Sequence, residues 1–407
     1  MRYVVIGNSA AWIGATEGIR QIDKNGEITV ITNEPYHTYS RPLISYLLLG
    51  KATEETMKYR PDGFYREHNA KLLIAEATEI DAKLKRITLA DGSRVPYDKL
   101  LVAAGSSPFV PPFKGLDAVS CKHTFMSLDD ARNLDKVLDK KSKALIIGAG
   151  LIGLKCAEGI LDRTAHITAL DLSPRILSSI LDDEGAKMTQ TYLEKKGINF
   201  KLSCGVKEFQ NNAAALESGE ELDFDILILA VGARPNTALL KGIADIDRGI
   251  VVDEKSKTTA PDIYAAGDCT QTFDVSGGIS KVMALLPNAY MQGECAGINM
   301  AGGEKSFTGA IPMNAVGLCG LHIITAGSYI GDVYAENENG TYKRLFYGSN
   351  KLNGYILIGN VEKAGIYTSL IRERTPLDSI DFALVCEKPG LMAFTKEDRY
   401  IKLGESR

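Results

Sequence analysis

Closely spaced cysteines are missing from this 407-residue chain. Its seven (Cys121, Cys156, Cys204, Cys269, Cys295, Cys319 and Cys386) are scattered, with no C-x-x-C. That spacing argues against an iron–sulfur cluster, a zinc knuckle and a redox dithiol. A basic excess is missing too: the net charge is −4, so counterion release at a phosphate backbone would gain nothing and nucleic acid is not an expected partner. No run approaches the roughly eighteen uninterrupted apolar residues of a membrane span. The N-terminus enters the strand-like "YVVIG" without a charged region or cleavage site, so a cytoplasmic, non-membrane protein is expected. The five histidines are isolated and no metal-ligand set stands out. Each histidine therefore reads as structural.

What is present is a repeated unit. "RYVVIGNSAAWIGATEGIR" from Arg2 and "KALIIGAGLIGLKCAEGIL" from Lys143 each run an apolar strand into a small-residue turn and then into helical periodicity. The next strand ends in an acid in both cases, Glu34 and Asp171. In the second unit Gly148, Gly150 and Gly153 complete a G-x-G-x-x-G, which permits a tight turn, close approach of a pyrophosphate to backbone amides, and close strand–helix packing. Asp171 would hydrogen-bond ribose hydroxyls and repel a 2′-phosphate, favouring NADH over NADPH, although Arg175 stands four residues on. The first unit keeps Gly7, but Ser9 and Trp12, the only tryptophan, replace the other two glycines. Small residues recur at Ala11, Gly14, Ala15 and Gly18, so the helix is expected to pack through that face with Trp12 set aside. Burial at a domain junction and a place near the cofactor both stay open for the indole.

Further on come "EPYHTYSRPLISYLL", "LLVAAGSSP", the proline-rich "SSPFVPPFKG", "FDILILAVGARPN" and "TTAPDIYAAGDCT". Past residue 305 the pattern changes to short β segments followed by "AGIYTSLIRER". The ordered motif set resembles the two-dinucleotide-domain flavoproteins of the pyridine nucleotide-disulfide oxidoreductase superfamily over residues 1 to about 304. The fold implied is α/β, with two Rossmann-like dinucleotide-binding domains, for FAD (1–110 and 233–304) and NAD (111–232), and a smaller α+β C-terminal domain (305–407).

The resemblance implies that Gly7, Ser9, Ala10 and Glu34 hold the ADP half of FAD. Arg41 and Pro42 would flank the isoalloxazine, Ala104 and Gly105 the pyrophosphate, Gly267 and Asp268 the ribitol, and Asn288 and Ala289 the pyrimidine end. NAD would rest on Gly148, Gly150, Gly153, Asp171 and Gly232. NADH oxidases and CoA-disulfide reductases place a redox cysteine where Tyr46 stands. Ferredoxin-reductase relatives place there a lysine, paired with a glutamate on the NAD-domain helix; here the pair reads Tyr46 and Lys155. Lys155 near flavin N5, at about 4 Å and an effective dielectric of about 20, would be worth roughly 4 kcal/mol. The plainer alternative is a surface lysine paired with Glu158.

The C-terminal "YKRLFYGSNKLNGYILIGNVEKAGIYTSLIRER" resembles NADH:rubredoxin oxidoreductases and the flavoprotein part of nitrite reductases. Lys343, Arg344, Lys351, Lys363, Arg372 and Arg374 against Glu362 and Glu373 leave a local +4 there. A small acidic, rubredoxin-like carrier is thus the expected acceptor. Oxygen or quinones, an electron-input role in nitrite reduction, and a non-catalytic sensor or scaffold are the alternatives. Monomer and homodimer are both open. The final segment, from Leu384, is left as an added strand or a mobile tail.

Overall fold

The computed structural model describes residues 1–338 and 340–402. The chain divides into two compact units: Met1–Ser178 with Tyr192–Thr272 and Ser280–Thr308, and Ser179–Thr191 with Phe273–Ile279 and the chain from Gly309 on.

The first unit is built on two five-stranded parallel sheets. One runs Ile263–Ala265, Lys99–Val102, Arg2–Ile6, Glu27–Thr32, Ala70–Ile74; the other runs Ile198–Lys201, His166–Leu170, Lys143–Ile147, Ile226–Leu229, Lys122–His123. Their central strands are buried from the second residue onward, because helices cover both faces of such sheets and continuous Val, Ile and Leu runs replace alternation. Each sheet is accompanied by a three-stranded antiparallel one, at residues 77–96 and 206–223. The proline-rich segment pairs with the second crossing, Ser106–Pro108 lying antiparallel to Ala233–Pro235.

Two helices of this unit meet without side chains between them. On Ala10–Ile22, a Cβ on Gly14 would stand 2.1 Å from the Tyr290 carbonyl oxygen, and one on Gly18 2.4 Å from that of Glu294. Leu286–Met300 answers with Gly293 and Gly297, whose Cβ atoms would each lie 2.1 Å from the carbonyls of Ala11 and Ala15. The small face is thus the packing face, as the spacing predicts. Trp12 lies beside it, fully buried in the core over the first sheet with Tyr3, Val5, Ile28 and Phe64.

The second unit is a five-stranded antiparallel sheet ordered Met313–Leu318, Leu321–Gly327, Lys351–Ile358, Thr341–Gly348, Asp332–Glu338. The helix Ala364–Glu373 buries Tyr367, Leu370 and Ile371 in its core. The last segment is neither strand nor tail up to Phe394: Phe382–Glu387 is helical, and Val385, Cys386, Ala393 and Phe394 join the same core. Residues 403–407 lie outside the described part. Among the described residues no helix is long and apolar enough to cross a membrane, and no cluster of His, Cys, Asp and Glu is arranged to hold a metal ion.

Candidate functional site

Both small-residue turns sit at the carboxyl ends of their sheets, where open parallel sheets place ligands. In the first, Gly7 has φ +113°, and a Cβ there would lie 2.1 Å from the Ala103 carbonyl, so glycine is required for conformation and space alike. Ser9 starts the helix at φ −130°, ψ −157° without capping it through its side chain, and Ala10 is buried behind it. The second turn is parallel in construction. Gly148 has φ +111° with its Cβ position 2.3 Å from Ala230 O, and a Cβ on Gly153 would stand 1.9 Å from Gly148 O. Gly150 opens the helix Leu151–Ile160; at Gly150 and Gly232 a Cβ would meet nothing within 4 Å. These two positions leave the backbone bare on an open side, the approach a pyrophosphate needs.

Around the first turn lies a cavity of about 400 Å³ lined by Gly7, Glu34, Arg41, Ala104, Ser106 and Asn236, among others. Arg41 Nη2 donates to both carboxylate oxygens of Glu34, each at 2.9 Å, and its guanidinium carbon lies 5.3 Å from the Tyr39 ring centroid. The family resemblance implies different halves of FAD for these two residues; the structure holds them together on one wall. Pro42 is exposed on the 3₁₀ turn Arg41–Leu43. Asp268 accepts from Ser106 Oγ at 3.2 Å, and burial pushes its carboxyl above the usual range, opposed by the Arg41 charge. Such a group stabilises the fold below the ordinary carboxylate pKa and loses that contribution as pH rises through its raised value. Asp268→Asn should therefore raise apoprotein melting at neutral pH while weakening FAD binding on the order of tenfold, read by thermal unfolding and flavin titration.

Two further residues shape this site without having been legible in the sequence. Gln292, buried on the helix Leu286–Met300, accepts from Gly267 N at 2.8 Å and Thr270 Oγ1 at 3.0 Å, fixing the loop at Gly267, whose φ is +82°. Asn236 donates from Nδ2 to Ala104 O at 2.9 Å and from its amide to Gly105 O at 3.0 Å. A side-chain amide in a loop has no periodicity to betray it; the only signal for Asn236 is the likeness of "VGARPN" to "AAGSSP". Asn288 and Ala289 are buried in the first turn of that same 15-residue helix, which begins with Pro287 near its start.

Lys155 and Tyr46 are brought together: Lys155 Nζ sits 4.3 Å from the Tyr46 ring centroid. Lys155 also pairs with Glu158, three residues on. At 16% and 8% side-chain exposure this is not the surface pair of the plainer alternative; an interior charge pair acts through a lower dielectric and is felt by its surroundings.

In the second turn Asp171 accepts from Ala149 N at 2.7 Å and from Ser173 N at 2.8 Å. Each oxygen keeps acceptor capacity for a hydroxyl. Arg175 lies in the following loop, with Nη2 3.4 Å from Ser178 O. Asp171→Ala should shrink the preference for NADH over NADPH on the order of tenfold, measured as the ratio of the two kcat/KM values. The strand register sets Leu170 against Ile147 and Ile31 against Ile6, so Thr32, and not Glu34, is the counterpart of Asp171 in the first sheet.

A family model described as pyridine nucleotide-disulphide oxidoreductase matches residues 1–293. The NADH-dependent phenylglyoxylate dehydrogenase subunit epsilon of Aromatoleum evansii is 33% identical over 392 residues, covering 92% of each chain. The NADH oxidase of Methanocaldococcus jannaschii is 33% identical over 323 residues, 75% of this chain and 71% of that one. The crystal structure of NADH:rubredoxin oxidoreductase from Clostridium acetobutylicum superposes with a TM-score of 0.75 at 26% identity, covering 93% of this chain and 96% of that one.

Proposed function

Because the chain belongs to the pyridine nucleotide-disulphide oxidoreductase family and is an FAD-dependent NADH oxidoreductase, we propose that the electrons it accepts leave to a small one-electron carrier protein, rubredoxin in the first instance. Bound FAD supplies the conversion of a hydride pair into single electrons. The chain's own part is to hold the two nucleotides. In this proposal the first turn, with Glu34, Ala104 and Asp268, seats FAD, and the second, with Asp171, seats NADH. Lys155 and Tyr46 set the charge beside the flavin.

The observation that carries the proposal is the state of the thiols. A relay cysteine needs an exposed, low-pKa sulfur. Burial instead pushes Cys269, next to Asp268, up to about 12 and Cys386 up to about 11, and raises Cys156 and Cys295 as well. Position 46, meanwhile, is a tyrosine. These four of the seven thiols are thus held away from the thiolate form, and none of the seven is in a disulfide, which supports electrons passing outward from the flavin.

Charge on the second unit supports a carrier, on a narrower face than the sequence count implies. Lys343 pairs with Glu336 and Arg344 with Glu184, acids outside the window that gave +4. Lys363, Arg372 and Arg374 stay exposed around the helix Ala364–Glu373. The test is anaerobic NADH oxidation by FAD-loaded protein with and without oxidised rubredoxin. Rapid loss of the rubredoxin visible band, slowed by salt and by Lys363→Glu with Arg372→Glu, supports the proposal. Flavin reduction that leaves rubredoxin oxidised refutes it and favours a second reading, an electron-transfer subunit of a larger dehydrogenase. The likeness over 92% of both chains to the Aromatoleum evansii subunit supports that alternative.

A further inference from the structure

The first turn lacks two of its glycines and also lacks, in register, the acid that ties the second turn together. There Asp171 grips the Ala149 amide; here Thr32 occupies the corresponding place, and Glu34 is engaged with Arg41. Something else must hold the turn, and a side-chain network does. Asn8, between Gly7 and Ser9, is bound on three sides: its Oδ1 accepts from Thr38 Oγ1 at 2.7 Å and from Tyr65 Oη at 2.8 Å, and its Nδ2 donates to Tyr36 O at 3.0 Å.

Trp12 anchors one end of that network. An indole N–H only donates, and Trp12 Nε1 lies 3.1 Å from Thr38 Oγ1 in a buried contact. The Thr38 hydroxyl must accept there; its own proton is left for Asn8 Oδ1 at 2.7 Å, the shorter contact, or Tyr65 Oη at 3.1 Å. Tyr36 O can only accept, so it draws Asn8 Nδ2 to itself and leaves Oδ1 facing the Thr38 and Tyr65 hydroxyls. The ring contributes as well: it stacks on Tyr65 with centroids 5.4 Å apart and planes at 21°, and meets Phe64 edge-on at 6.0 Å. This stacking keeps the Tyr65 hydroxyl in reach of Asn8 and of Thr38 N at 3.3 Å. Neither glycine nor phenylalanine at position 12 supplies the donor that holds the Thr38 hydroxyl.

We propose that Trp12 is the positioning residue of the first turn: through Thr38 it fixes the Asn8 side chain, and with it the backbone amides on which the FAD pyrophosphate rests. The inference rests on FAD occupying this turn. It assigns to the residue that breaks the glycine pattern the task that the pattern's missing members left undone.

The test is FAD titration of the full-length apoprotein, followed by flavin fluorescence, for wild type, Trp12→Phe, Thr38→Val and the double variant. Ile19→Val, a buried change on the same helix outside the network, is the control. Losing one net hydrogen bond should raise the FAD dissociation constant roughly three- to tenfold in each single variant. The double variant should be no weaker than the weaker single, since both break one chain of bonds. The ³¹P resonances of bound FAD should shift in Trp12→Phe and stay put in Ile19→Val. Unchanged FAD affinity in Trp12→Phe, or equal weakening in Trp12→Phe and Ile19→Val, would reduce the indole to core filling and overturn the proposal. Should Trp12→Phe fail to fold, Thr38→Val decides by the same criteria. A wild-type chain that takes up no FAD would overturn this inference and the cofactor assignment together, an outcome distinct from the variant results.

Discussion

Gly14→Val is expected to destroy stable folding and to leave the recovered protein without flavin. The added side chain would meet backbone, with the Cβ 2.1 Å from Tyr290 O and 2.9 Å from Glu294 N, and a facing helix cannot rotate its carbonyls away as a side chain would. Overpacking commonly costs about 1–3 kcal/mol; here relief requires moving the whole of Leu286–Met300, so the cost lies at or above the top of that range. The same displacement would carry Gln292 away from Gly267 and shift the buried Asn288 and Ala289, so fold and cofactor site fail together. Thermal unfolding and flavin content measure both. Gly365→Ala is the counter-case. It lies in the helix Ala364–Glu373 with nothing within 4 Å of the new methyl, and should stabilise by about 0.5–1 kcal/mol through the helix propensity of alanine. Destabilisation by both variants alike would show that the glycine seam is not the cause.

Lys155→Met should lower the flavin midpoint potential. The ammonium sits over Tyr46 and beside Glu158 at low exposure, and its removal leaves the carboxylate as the local charge. Were the flavin ring about 4 Å away, loss of a unit positive charge at an effective dielectric of about 20 would destabilise its reduced form by roughly 4 kcal/mol. On a two-electron couple that is on the order of 90 mV. Glu158→Gln should move the potential the other way, and the opposite signs separate a charge effect from general damage. Spectroelectrochemistry on both variants reads the result; two unchanged potentials would remove Lys155 from the flavin environment.

The strand–turn–helix units were legible because a strand buried on both faces writes itself as an uninterrupted apolar run, and because Gly7, Gly148 and Gly153 are positions where no other residue fits. The small face around Gly14 and Gly18 was legible as a face, but its partner was not: Gly293 and Gly297 lie some 280 residues away, and no local pattern says which helix they meet. Trp12 reads as an intruder in sequence because the indole's acceptor, Thr38, sits in an irregular connection. The charge count over 341–375 misled for a different reason. Neutralisation is set by neighbours in space, and Glu336 and Glu184 fall outside the window while lying against Lys343 and Arg344. The last segment was left open because helical turns as short as Phe382–Glu387 carry too few residues to show a period.

The most direct test is an anaerobic reductive titration of the FAD-loaded protein with NADH, following the flavin absorbance and counting electrons taken up. Bleaching complete at about one NADH per FAD, with no further uptake, is the predicted result: hydride enters, the flavin alone stores the pair, and nothing in the chain takes it onward. Uptake of a second equivalent would reveal a further redox group and contradict the reading that no thiol takes part, while a flavin that NADH leaves oxidised would contradict the hydride chemistry itself.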